Sequence, residues 1–143
     1  MKYAAIITPE DGSESIVFPD CPGCQTCSWK DGPSAEDMAK DALLGWLEVS
    51  LRDQDAPALP RHRRPSRGSR VHWVVLPPTY ALRVALQRAR RDAGLTRAEL
   101  ARRLRSSVRL LAALEDPARS FDFPLFERAA TVLGLEVEAR SVA

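Results

Sequence analysis

The chain opens on a tight apolar run, MKYAAIIT (1–8), of strand length, and Glu10-Asp11-Gly12 supplies a turn after it. SESIVFPD then alternates and stops at Pro19, so the two segments read as a hairpin. Thr26 and Trp29 favour a third strand over Gln25–Trp29. Past the turn Lys30-Asp31-Gly32-Pro33 the apolar period changes from two to three and four. Met38, Ala42, Leu43, Trp46, Leu47 and Leu51 share one helix face. Ser34 opens that helix, with Asp37 at the capping-box position where Glu or Gln is usual. VHWVVLPP (71–78) returns to β-rich texture as a fourth strand, and Pro77-Pro78 ends the unit. Residues 1–78 are therefore expected to form a small antiparallel sheet with one helix.

The remainder, residues 79–143, has helical texture. Leu82, Ala85, Leu86, Ala89 and Ala93 mark the inward face of a helix that Gly94 stops. Thr96 with Glu99 is a capping box opening a second helix, with Leu100, Ala101 and Leu104 inward. After a break at Arg105-Ser106, Ser107 caps a third helix running through Leu114, and Glu115-Asp116-Pro117 ends it. FDFPLFERAATVLG reads as a fourth, with Phe126, Ala129, Ala130 and Leu133 inward and Gly134 as stop. The tail LEVEARSVA alternates and is expected as a final strand, able to pair across a dimer. The expected fold class is α+β, followed by an all-α domain.

Charge divides the chain along the same line. Residues 1–60 hold four Lys+Arg against eleven Asp+Glu, a net of −7. Residues 61–143 hold seventeen Arg and no Lys against eight Asp+Glu, a net of +9. The basic half suits nucleic acid, and the acidic half suits a basic protein. No apolar run approaches ~20 residues and the N-terminus lacks a secretory pattern, so a cytoplasmic protein without membrane contact is expected. The loop RHRRPSRGSR (61–70) carries five arginines and reads as a solvated connector, with DNA phosphates or a protein partner as the alternative contact.

Two short helices joined by a tight turn and flanked by further helices are helix-turn-helix organisation. LTRAELARRLRSSVRLLAALE resembles the Cro/cI type, with Leu95-Thr96, Leu100-Ala101, Ser107, Leu111, Leu114 and Glu115 at matching positions. It departs at the turn, where Gly is usual in place of Arg105 and a β-branched residue in place of Ser106. An Arg held in a left-handed backbone costs about 1 kcal/mol. Ser107 and Arg109 are the residues able to reach base edges. Thr96, Arg97, Arg102, Arg103 and Arg105 are placed for the DNA backbone. Helix-turn-helix proteins set two recognition helices one duplex turn apart, so a homodimer or higher homo-oligomer is expected.

All three cysteines fall in FPDCPGCQTCSWKD as Cys21, Cys24 and Cys27, spaced C-x2-C-x2-C. Structural zinc takes four ligands, and His62 and His72 lie far off at unsuitable spacing. No metal and no cofactor are expected; a site shared between chains stays open.

The stretch MKYAAIITPEDGSESIVFPDCPGCQTCSWKDGPSAEDMAKDALLGWLE resembles the N-terminal domain of HicB-type antitoxins, carried by Phe18-Pro19-Asp20, Pro22-Gly23-Cys24 and Thr26. Ala81–Leu86, Leu114–Pro117, Leu125–Ala129 and Leu133-Gly134 resemble the HicB form that carries a helix-turn-helix. The resemblance implies a partial RNase H-like domain without nuclease activity that blocks HicA, a small basic mRNA-cleaving toxin. It also implies repression of the pair's own operon through operator DNA. Cys24 matches the family pattern, while Cys21 and Cys27 fall at variable positions. The expected toxin-binding residues are Asp20, Asp31, Glu36, Asp37 and Asp41, with Trp29 as apolar anchor. Enzymatic activity is not expected, because the carboxylates do not fall together on strand interiors as two-metal chemistry requires. The alternatives are a solitary HicB-like regulator and a metal-sensing repressor.

Overall fold

The computed structural model describes residues 1–141. It is an α+β fold with a four-stranded antiparallel sheet and five helices. The strands are β1 (Lys2–Glu10), β2 (Ser13–Val17), β3 (Gln25–Trp29) and β4 (Arg70–Val75), in the order β3-β2-β1-β4. Gly12, at φ 70°, makes the β1–β2 turn that a side chain would strain. The hairpin register sets Ile7 opposite Ile16, and β4 closes the other side of β1 with Tyr3 opposite Val74.

Side chains alternate across the sheet. Tyr3, Ala5, Ile7, Ile16 and Val74 are buried and pack with Ala39, Leu43, Leu47 and Leu51 of α1 (Ala35–Arg52). The register sends Lys2, Ile6, Val17, Trp29, Trp73 and Val75 to the other face. There Val17, Trp29 and Val75 stay exposed. Ser34 Oγ accepts the Asp37 N–H and caps α1. The face of α1 is rotated slightly from the sequence expectation. Ala35, Ala39 and Ser50 are buried, whereas Met38, Ala42 and Trp46 sit at the margin. The small residues let α1 lie close to the sheet.

The helical part comprises α2 (Pro78–Asp92), α3 (Arg97–Arg103), α4 (Val108–Glu115) and α5 (Phe123–Leu133). Leu86, Leu100, Leu111, Leu114, Phe126 and Ala129 form a second buried cluster. Helix α2 feeds both clusters, Val84 the first and Leu86 the second. Its inward face is a correction to the sequence reading. The buried residues are Arg83, Val84, Leu86, Gln87 and Arg90, while Ala85 and Ala89 are half-buried and Ala93 is exposed. Polar side chains turn inward because buried carbonyls and one buried carboxylate wait for donors there. Gly134 ends α5 in the left-handed conformation at φ 65°. Residues 135–141 then take no regular structure, so the expected terminal strand does not form within this chain, and Val142 lies outside the described residues. Among the described residues no helix is long and apolar enough to cross a membrane.

Candidate functional site

Helices α3 and α4 are joined by a turn whose backbone each end enforces. Thr96 Oγ1 accepts the Glu99 N–H, and Glu99 Oε2 accepts the Thr96 N–H at 2.8 Å, a complete capping box. Arg105 holds φ 50°, the left-handed position. That geometry lets the Ser106 N–H reach the Ala101 carbonyl at 2.9 Å and close α3. Arg128 of α5 donates to the Leu104 carbonyl and satisfies the same helix end. Ser107 Oγ accepts the Leu110 N–H and opens α4. Ala101 is 2% exposed at this crossing, where its single methyl lets the helices approach.

The basic candidates separate into two groups. Arg102, Arg103, Arg105 and Arg109 are exposed, with no ion pair among the described residues. Val108 and Leu110 stand exposed beside Arg109 on the first turn of α4. Arg97 is engaged elsewhere: its Nε donates to Glu115 at 2.9 Å and its side chain is 14% exposed. The hydroxyl of Thr96 is occupied by the cap.

Glu115 is the centre of a buried network absent from the sequence reading. Fully buried, it accepts from Arg90 Nε at 2.6 Å, Arg90 Nη2 at 3.1 Å, Gln87 Nε2 at 2.9 Å and Arg97. Two guanidinium groups and an amide donor leave little of its acceptor capacity unused. Gln87 also donates to the Leu51 carbonyl and accepts the Ala56 N–H, and Arg90 reaches Gln54. The end of α1 is thereby tied to α2, α3 and α4. Arg83 does the same work nearby, donating to the carbonyls of Leu114 and Arg119 with its guanidinium over the Phe121 ring. The available signal was spacing: positions 83, 87 and 90 recur at four and three on one helix face.

On the acidic side, Asp31, Asp37 and Asp41 are exposed, and Trp29 is 63% exposed on the edge strand β3. Glu36 is half-exposed and accepts Arg70 Nη1 at 2.8 Å, while the same guanidinium reaches Glu14 at 3.2 Å. A cleft of about 370 Å³ lies between the β1–β2 turn and the start of α1, lined by Glu14, Trp29 and Glu36 among others. Asp20 is apart from this surface. It is 8% exposed, accepts the Arg61 N–H at 3.0 Å and pairs with Arg63. Burial works against its charge, but the Arg63 and Arg61 hydrogen bonds outweigh that and hold its carboxyl below the ordinary range. Through these bonds Asp20 pins the Arg-rich loop.

Cys21 and Cys24 are buried and Cys27 is half-buried; all three are free thiols. Burial pushes the Cys21 thiol up to about 12 and the Cys24 thiol up to about 11. Cys24 Sγ lies 3.7 Å from the Ala42 carbonyl, and the backbone of Phe18–Cys24 closes a turn through Phe18 N–H to Cys24 carbonyl. Among the described residues no group of three or more His, Cys, Asp or Glu side chains converges as metal ligands.

No family model matches the chain. Two curated relatives, antitoxin HicB of Escherichia coli strain K12 and antitoxin HicB of Escherichia coli O157:H7, are each 28% identical to it over 138 residues. The match covers 96% of this chain and 96% of each relative. This distant, end-to-end homology supports a HicB-type antitoxin.

Proposed function

We propose that this chain neutralises a HicA-like mRNA-cleaving toxin through its acidic sheet domain and represses its own operon through α3 and α4. The observation that carries this reading is the end-to-end likeness to antitoxin HicB together with the division of charge between the two parts. An acidic surface attracts a basic ribonuclease and mimics part of its substrate. Trp29 is the exposed aromatic anchor, and Asp31, Asp37 and Asp41 are the exposed acids on the turn and helix that follow its strand, with Glu36 held by Arg70. Asp20 contributes indirectly, by holding the loop that follows α1.

In the second activity, the turn between α3 and α4 is a helix-turn-helix of Cro/cI type. The N-terminal turn of α4 enters the major groove. Arg109 reads guanine there and Ser107 assists, while Val108 and Leu110 meet thymine methyl groups. Arg102, Arg103 and Arg105 contact phosphates. Thr96 and Arg97 hold the α3–α4 frame. Residues 1–78 form a partial RNase H-like domain without catalysis, residues 79–143 the DNA-binding domain, and two copies pair to present two α4 helices one duplex turn apart.

The test is operator binding by the full chain, followed by mobility shift on its own promoter fragment. Arg109→Ala is expected to relax base specificity, and Arg105→Ala to weaken all duplexes alike with a shallower salt dependence. Binding that ignores both variants would remove α3 and α4 from the DNA contact.

A further inference from the structure

The Arg-rich loop is not the free connector that its composition suggests. Asp20 clamps it at two points, the Arg61 N–H and the Arg63 guanidinium. The clamp delivers His62 to the outer face of the sheet, where its ring lies 6.4 Å from that of Trp73, centroid to centroid, with planes 27° apart. Lys2, on the same face, sits with Nζ 5.1 Å from the Trp73 centroid. A cleft of about 380 Å³ is lined by Lys2, Pro60, Arg61, His62 and Trp73.

Charge at this corner is uncompensated. Lys2 and Arg61 line this cleft, are exposed and make no ion pair among the described residues, and Arg64, three positions along the loop, is exposed and makes none either. Asp20, the acid beside the loop, is spent inward on the clamp. The corner thus belongs to a domain whose other side is acidic, and it presents cations around an aromatic face. A centroid separation of 6.4 Å is an ordinary stacked contact, so His62 covers part of the indole. Trp73 stays half-buried and lines the cleft, where a planar ring can reach it beside His62.

We propose that this corner binds single-stranded nucleic acid, with one unpaired base stacked on Trp73 and its flanking phosphates held by Lys2, Arg61 and Arg64. Aromatic stacking combined with a basic groove is the recognition chemistry of unpaired strands. A duplex does not fit, because its bases are stacked on one another and closed to a recessed indole. The site is independent of the DNA contact made by α3 and α4.

The experiment titrates the full chain into fluorescein-labelled oligouridylate and oligothymidylate of about ten nucleotides and follows anisotropy at about 50 mM and about 200 mM salt. Wild type is expected to bind in the micromolar range. Trp73→Ala is expected to weaken binding about tenfold. The double variant Arg61→Ala/Arg64→Ala lies on the exposed loop and carries the test if Trp73→Ala does not fold. It is expected to weaken binding and lower the salt slope by about 0.7 for each cation removed. Arg105→Ala/Arg109→Ala is expected to bind the single strands as wild type does. The proposal is overturned if wild type fails to bind either oligonucleotide at about 50 mM salt. It is equally overturned if Arg105→Ala/Arg109→Ala abolishes binding while the loop variant binds normally.

Discussion

Replacing Glu115 by Ala should cost more stability than any other single change at a charged residue of this chain. Its carboxylate is fully buried and accepts from Arg90, Arg97 and Gln87. Removing it strands two cations and an amide away from water, and breaking a buried pair in this way costs about 3–5 kcal/mol. Two features pull toward the low end. Arg90 keeps the Leu95 carbonyl at 2.9 Å and Gln54 at 3.1 Å, and Arg97, with 14% of its side chain exposed, can swing to solvent. The expected loss is about 3 kcal/mol, against a total stability of roughly 5–15 kcal/mol for a domain. With a urea dependence of about 2 kcal/mol per molar, the midpoint falls by about 1.5 M. Urea unfolding followed by circular dichroism reads this directly. Glu99→Ala is the internal comparison, since loss of that exposed capping box costs about 1 kcal/mol. Arg90→Met/Glu115→Leu should cost less than Glu115→Ala alone, because it removes the buried charges together. A midpoint shift below about 0.5 M for Glu115→Ala would mean that the buried network contributes little to stability.

Other outcomes follow from the same geometry. Arg105→Gly relieves a left-handed arginine at φ 50° and should stabilise the chain by about 1 kcal/mol while weakening duplex binding; a lower melting temperature would contradict the first half. Asp20 is more acidic folded than unfolded, so its contribution is complete above the ordinary Asp value and is lost as pH falls through the depressed folded value. The urea midpoints of wild type and Asp20→Asn should therefore differ at neutral pH and converge below about pH 4, and a constant gap would exclude the clamp as the source. A thiol-alkylating reagent near neutral pH should label Cys27 first, because burial pushes Cys21 and Cys24 up to about 12 and about 11. Peptide mass spectrometry that finds Cys21 labelled first would contradict the packing described here.

The elements were legible because each is locally consistent. The hairpin has its Gly12 turn, α3 its Thr96–Glu99 box, α4 its Ser107 cap and α5 its Gly134 stop. The left-handed Arg105 was legible too, since the turn between two such helices demands that backbone whatever residue occupies it. What escaped was polar burial. A period of three and four identifies a helix face, but alanines at 85, 89 and 93 compete with Arg83, Gln87 and Arg90 for the inward side. Only the position of Glu115 and of the buried carbonyls of Leu51 and Leu114 decides which face wins. Asp20 escaped for the same reason. As one acid among eleven in residues 1–60 it reads as surface charge, and its burial depends on arginines some forty positions later. The tail alternates like a strand, yet residues 135–141 pair with neither edge of the sheet, β3 or β4.

Neutralisation by the acidic domain would show itself as ribonuclease inhibition. Any small basic protein encoded beside this gene is purified, and its cleavage of a labelled RNA is followed as the full chain is titrated in. Stoichiometric loss of cleavage is expected, with Trp29→Ala and Asp37→Asn/Asp41→Asn requiring a clear excess to reach the same inhibition. Cleavage that continues unchanged at a large molar excess of wild-type chain would contradict neutralisation.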